Sequence, residues 1–204
     1  MARTLILFAH PALEKSRVHR RLIREVPNLP GITFHDLYEA YPTFDIDITR
    51  EQNLLLAHDL IVLQHPFFWY STPPLLKQWE DLVLEHGWAY GSRGNALRGK
   101  RMLSLITSGG AAAAYQHESY NRFTYRELLA PIEQTARLCK MAYLPPYIID
   151  GTHRMNDDDI EQAASRYRQL LVWLRDDRIN LAAVGRFDLL NEALEQLAID
   201  EVVA

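Results

Sequence analysis

The segment Ala9-His10-Pro11-Ala12-Leu13-Glu14-Lys15-Ser16-Arg17-Val18-His19 follows a short apolar run and leads into a helical pattern. Ser16 suits the N-cap of that helix, which would leave the backbone N–H groups of Arg17, Val18 and His19 unpaired in its first turn. Donors in that position can cradle a phosphate, and the side chains of His10 and Arg17 could add to them. Taken alone, Ser16 reads more simply as a plain cap.

Two further stretches change the weight of that observation. Gln64-His65-Pro66 is followed by Phe67-Phe68-Trp69-Tyr70, four consecutive aromatic residues that end at Ser71-Thr72-Pro73-Pro74. Packing all four from one loop would need core space on both of its sides, whereas a flat aromatic ligand offers a surface on which they can stack. An aromatic-rich interface between two copies of the chain is a compatible alternative. The third stretch is Thr107-Ser108-Gly109-Gly110. Its glycines permit positive φ and close backbone approach, and its N–H groups could form a nest for the electron-rich edge of a ring system. A phosphate cradle, an aromatic plate and a donor nest together describe a pocket for flavin mononucleotide.

The elements that must position these stretches follow from the apolar patterning. Strands are expected at Thr4 to Ala9, Ile32 to Asp36, Leu60 to Gln64, Met102 to Thr107 and Tyr147 to Ile149, the first with no polar alternation, as in a strand buried on both faces. Helical periodicity covers Ser16 to Val26, Pro74 to His86, Pro131 to Ala142 and Asp158 to Arg175, with Pro74 and Pro131 suited to first turns. Such alternation predicts an α/β fold: a flavodoxin-like, doubly wound, five-stranded parallel sheet of order 2-1-3-4-5 with helices on both faces. Ligands of such sheets sit beyond the carboxyl ends of the strands, and the three stretches follow strands one, three and four. The expected organisation is a flavin-binding unit over residues 1–175 and an extension over 176–204. In the extension Phe187, Leu190, Leu194 and Leu197 recur at helical spacing, which predicts an amphipathic helix packed on its own domain or on a partner.

Composition removes several classes of function. A net charge of −4 is too small and of the wrong sign for a generic nucleic-acid binder. The single cysteine, Cys139, cannot form an intrachain disulfide. The run Leu5 to Ala9 is too short for a signal peptide and no apolar stretch is long enough to span a bilayer, so a soluble, cytoplasmic protein is expected. Gly94-Asn95-Ala96-Leu97-Arg98-Gly99-Lys100-Arg101 imitates a P-loop, but Arg101 replaces the hydroxyl that binds Mg²⁺ and the segment precedes a strand. Asn156 to Asp159 reads as a helix cap with acids in the first turn rather than a metal site. No zinc motif, G-x-S-x-G elbow or G-x-G-x-x-G fingerprint occurs.

These residues carry a resemblance. Ala9-His10-Pro11, Gln64-His65-Pro66 with Trp69-Tyr70-Ser71, Pro74-Leu75-Leu76-Lys77, Gly87-Trp88-Ala89-Tyr90-Gly91 and Thr107-Ser108-Gly109-Gly110 resemble the flavodoxin-like NAD(P)H:quinone oxidoreductases. The likeness is greatest to the ancillary subunits of glutathione-regulated potassium-efflux systems. Asp36-Leu37-Tyr38, Tyr41-Pro42, Phe44-Asp45-Ile46-Asp47-Ile48, Tyr120-Asn121-Arg122-Phe123 and Leu144-Pro145-Pro146 extend it from residue 4 to about 175.

The resemblance implies an FMN site (FAD being the other flavin considered) with NAD(P)H as co-substrate. His10 and Ser16, Arg17, Val18 and His19 would hold the phosphate. Phe67, Phe68, Trp69 and Tyr70 would pack on the isoalloxazine, and Thr107, Ser108, Gly109 and Gly110 would donate to its polar edge. It further implies a homodimer passing two electrons to a quinone or another small electrophile by ping-pong turnover. A potassium-efflux antiporter would be its partner at the inner membrane, with no metal and no nucleic acid. The alternative is a regulatory subunit with little or no turnover. Tyr115 matches a proton-transfer tyrosine of animal relatives, but the second position of that pair is Asn121, an amide that cannot be a general acid, and His117 is not at the matching spacing.

Overall fold

The computed structural model describes the backbone of residues 2–27, 29–179 and 181–203, and the side chains of these apart from 181, 182 and 197–203. Its sheet holds β1 (Thr4–Phe8), β2 (Ile32–Asp36), β3 (Leu60–Pro66) and β4 (Arg101–Thr107), with a last lane split into β5 (Ala142–Tyr143) and β6 (Tyr147–Ile149). All pairings are parallel and the order is β2-β1-β3-β4-β5, with β6 also on β4. The predicted five-strand order is therefore present, and the fifth lane is broken in two. Ala142 and Tyr143 pair with Arg101 and Met102, while Tyr147 to Ile149 pair with Leu105 to Thr107. Between them Pro145 and Pro146 lack the N–H groups a continuous ladder requires.

Alternate residues of the central strands feed two cores, as the period of two demands. Leu5, Leu7, Ile61, Leu63 and Ile106 pack on α2 (Leu37–Ala40), α3 (Ile48–Ala57), α4 (Pro74–Val83), α5 (Tyr125–Leu128) and α6 (Ala130–Leu138). On the opposite face Ile6, Phe8, Val62, Leu103 and Leu105 pack on α1 (Arg17–Leu22) and α7 (Asp157–Arg175). Helix α1 is shorter than expected, since residues Ile23–Glu25 tighten into a 3₁₀ turn. Pro74 and Pro131 occupy first turns. Asn156 caps α7 in a capping box with Asp159, as the acidic run suggested. The P-loop mimic is a loop ahead of β4, where the Lys140 ammonium holds the Gly94 carbonyl at 2.6 Å.

Helix α3 has no counterpart in the sequence reading. Its fully buried Glu51 interrupts the apolar stripe, because the carboxylate accepts hydrogen bonds from Trp79 Nε1 and His35 Nε2, each at 2.8 Å, and from the Tyr41 hydroxyl at 2.5 Å. Burial pushes the Glu51 carboxyl up, but these donors outweigh it and hold it below its usual value.

After α7 the chain forms α8 (Leu181–Val184) and α9 (Leu190–Val203). Val184, Leu190 and Ala193 are buried in the core around β6 and α7, with Phe187 and Leu194 partly buried against it. The Leu197 side chain lies outside the described residues. Among the described residues no helix is long and apolar enough to cross a membrane.

Candidate functional site

The carboxyl ends of the central strands form one rim. The Ala9 N–H reaches the Gln64 carbonyl at 3.0 Å, Pro66 stands opposite Thr107, and Thr107 stands opposite Ile149. All three predicted stretches leave the sheet here. A fourth joins them, Asp150 to His153, which comes after β6 and was not singled out from the sequence.

At the first stretch, Ser16 Oγ accepts the His19 N–H at 3.1 Å and so caps α1. That bond corrects the expectation of three unpaired donors: among the described residues only Arg17 and Val18 keep N–H groups without a partner in this turn. The Arg17 guanidinium is also engaged elsewhere, with the Asp157 carboxylate at 2.6 Å and the Met155 carbonyl at 3.1 Å. Val18 is buried and offers only backbone. His10 is buried too, with its Nδ1 accepting the Ala12 N–H at 3.1 Å. Its ring meets those of His19 and Phe68 edge-on. Desolvation pushes His10 below the usual histidine value and His19 well below it. The imidazoles are therefore neutral near pH 7, so the donors at this end are dipoles rather than fixed charges.

The aromatic stretch divides. Phe67 turns inward against Tyr70, Tyr115 and Tyr125, so one of the four rings belongs to the core. Phe68, Trp69 and Tyr70 are exposed, Trp69 by 93%. Phe68 bridges Ser71, and the two residues between them have φ of +52° at Trp69 and +62° at Tyr70. Two successive positive φ values define a tight hairpin turn of the kind that favours Asn-Gly. The backbone thus carries strain while it displays an indole in solvent. The Tyr70 hydroxyl donates to Asn121 Oδ1 at 3.0 Å, which ties this turn to the loop after β4.

At the third stretch, the N–H groups of Gly109, Gly110 and Ala111 make no hydrogen bond among the described residues. Neither Gly109 nor Gly110 has positive φ, which corrects that part of the expectation. What Gly109 supplies is space: a Cβ there would lie 2.1 Å from His153 Nε2. The nest is held from behind. Ser108 N–H donates to the Ile149 carbonyl at 3.0 Å, Gly151 N–H to the Gly110 carbonyl at 2.9 Å, and Thr152 N–H to the Ser108 carbonyl at 3.0 Å. Ala112 N–H donates to the Asp150 carboxylate, and Ser108 Oγ also pairs with the Tyr125 hydroxyl.

Tyr115 stands beside Gly110, where a Cβ would come within 3.4 Å of its ring. Its buried ring stacks on Tyr125 at 3.9 Å between centroids, and burial raises its hydroxyl above the usual tyrosine value. Asn121 is committed to Tyr70, and His117 to Glu127 at 2.9 Å. Tyr125 was missed from the sequence: a Thr124-x-x-Glu127 capping box marks the start of α5, but nothing local says that its first residue reaches back to Ser108.

The model of the flavodoxin-like fold family matches residues 2–171. The chain belongs to this family. The glutathione-regulated potassium-efflux system ancillary protein KefF of Klebsiella aerogenes is 42% identical over 168 residues, 82% of this chain and 94% of that protein. Among solved structures, general stress protein 14 of Treponema denticola in complex with FMN superposes with a TM-score of 0.78 at 38% identity, over 84% of this chain and 97% of that one. An NADPH-quinone reductase from P. pentosaceus gives a TM-score of 0.75 at 34% identity, over 82% and 96%.

All three predicted stretches fall inside residues 2–171. Helices α8 and α9 fall outside it.

Proposed function

We propose that the chain is an FMN-dependent NAD(P)H:quinone oxidoreductase of the potassium-efflux ancillary type. The observation that carries this reading is the convergence on one rim of two separate sets of unpaired N–H donors, at Arg17–Val18 and at Gly109–Ala111, with exposed aromatic rings between them. That donor set fits FMN: dipoles for a phosphate at one end, and donors for a ring edge that gains negative charge on reduction at the other. The FMN complex of the Treponema relative and the name of the P. pentosaceus reductase support it.

When bound, FMN supplies the hydride chemistry that links NAD(P)H to a quinone. This chain's residues do the rest. The Arg17 and Val18 N–H groups bind the phosphate end, with Ser16 capping their turn and His10 beside it, while His19 braces the turn through Ser16 and Thr107. Phe68, Trp69 and Tyr70 cover the ring, with Phe67 fixing the base of their turn. Thr107, Ser108, Gly109 and Gly110 orient its polar edge. Tyr115, kept protonated by burial, holds a proton at its Oη for transfer to the reduced acceptor.

The same reading divides the chain into the flavin-binding unit 1–175 and the extension 176–204, and makes the active form a homodimer. Exposed Phe68, Trp69, Tyr120 and Phe123 give a second copy an aromatic surface to cover. The relation to the Klebsiella ancillary protein supports a potassium-efflux antiporter as partner. The chain would then be cytoplasmic and peripheral to the inner membrane. A steady-state assay with NADPH and a small quinone tests the enzyme. Turnover well above that of free FMN is expected, and turnover equal to it would leave only a regulatory role.

A further inference from the structure

The extension that lies beyond the family match is joined to the site by a short path through the last strand. In β6, the Ile149 carbonyl faces β4 and accepts the Ser108 N–H, so Ile148 presents its N–H and C=O to the outer edge of the sheet. Both are taken by one side chain. Asn191 Oδ1 accepts the Ile148 N–H at 2.9 Å, and Asn191 Nδ2 donates to the Ile148 carbonyl at 2.8 Å. The Leu190 N–H adds a bond to the Pro146 carbonyl at 2.9 Å. The start of α9 thus replaces the strand that the edge lacks.

Residues 149–152, directly after Ile148, hold the donor nest. Ser108, Gly110 and Ala112 all hang on them through the Ile149 carbonyl, the Gly151 and Thr152 N–H groups and the Asp150 carboxylate. Thr152 Oγ1 adds a further bond to the Ser108 carbonyl at 3.0 Å. Among the described residues the N–H groups of Gly109, Gly110 and Ala111, which lie between these anchors, are left without partners. The anchor of this array is a three-residue strand, cut off from β5 by Leu144-Pro145-Pro146 and held by three paired positions on β4. So short an edge strand is weakly fixed from one side alone.

We propose that Asn191 is a positioning residue: by clamping Ile148 from outside it sets the register of residues 149–152, and through them the placement of the Gly109–Ala111 donors. Its consequence for the cofactor rests on the proposed flavin function; the mechanical link does not. Asn191→Ala and the milder Asn191→Asp, which keeps an acceptor for the Ile148 N–H, are compared with the full-length protein by hydrogen exchange without flavin and by FMN titration. Glu192→Ala, an exposed neighbour, serves as control. Loss of the two bonds in Asn191→Ala should speed exchange at the hydrogen-bonded Ser108 and Ala112 amides, together with 147–152, by roughly tenfold and weaken FMN binding by a similar factor. Asn191→Asp should fall between it and the parent, and should report the same link if Asn191→Ala does not fold. Faster exchange confined to 147–149, or a lowered melting temperature with exchange at Ser108 and Ala112 unchanged, would overturn the proposal. A parent protein that takes up no FMN would count against the flavin reading instead, and the exchange comparison would still decide the link.

Discussion

The His19 imidazole and the Thr107 hydroxyl meet at 2.9 Å beneath the rim, joining the first turn of α1 to the end of β4. The two residues come from stretches assigned to opposite ends of the flavin, so one hydrogen bond fixes the span between the phosphate cradle and the donor nest. His19 is fully buried and its Nδ1 has no partner among the described residues. The tautomer with Nε2–H donating to Thr107 Oγ1 leaves only an acceptor unpaired at Nδ1, and frees the Thr107 proton to point at the ligand.

Thr107→Val removes that hydroxyl at nearly constant shape and leaves both nitrogens of His19 unpaired. Urea unfolding at pH 7.5 should show a loss of about 1–3 kcal/mol. FMN retention should fall as well. An unchanged midpoint would mean that the bond does not brace the site.

His65 sets a pH dependence. It is fully buried, its Nδ1 lies 2.9 Å from the Pro66 carbonyl, and desolvation pushes it from 6.5 down to about 4. Below pH 6.5 the unfolded chain takes up this proton before the folded one does. The stability is therefore present above pH 6.5 and is lost as pH falls towards about 4, by about 3 kcal/mol in all. Buried His19 acts with the same sign. Glu80 acts oppositely, because burial raises its carboxyl to about 7 and so favours the folded state at low pH. The comparison of parent and His65→Asn unfolding energies across this range isolates the His65 contribution. The difference between them should narrow as pH falls, and parallel curves would refute the assignment.

Trp69 occupies a backbone conformation that suits glycine, with its side chain almost wholly in solvent. Trp69→Gly trades relief of left-handed strain against added freedom of the unfolded chain, so stability should change by less than about 1 kcal/mol. Trp69→Val puts a β-branched residue at positive φ and should lose about 1–2 kcal/mol. Both should weaken FMN binding by roughly tenfold through loss of the ring surface. Thermal melts of the three proteins beside FMN titrations read out both effects. Flavin affinity equal to the parent in Trp69→Gly would remove Trp69 from the site.

Much of this architecture was legible in the order of apolar runs, since the central strands are buried on both faces and read as short runs rich in Leu and Ile without polar alternation. The three rim stretches were legible because Ser16, the four aromatics and the Gly pair are unusual residue types for the ends of strands. Helix α3 was not, because Glu51 occupies the position where its apolar stripe should run. The conformational roles of Gly109 and Trp69 were exchanged: steric crowding by His153 demands the glycine, and the hairpin imposes positive φ on the tryptophan. The Arg17 side chain looked like a phosphate donor only while Asp157, distant in sequence, was out of view. Tyr125 and Asn191 act through contacts of 17 and 43 residues in separation, which no local pattern encodes.

Addition of FMN to the purified apoprotein, followed by flavin fluorescence, tests the central claim most directly. Quenching that saturates at one FMN per chain, with the yellow colour retained through gel filtration, is the expected result. Fluorescence that tracks free FMN at every ratio, with a colourless protein peak after incubation in excess, would contradict it.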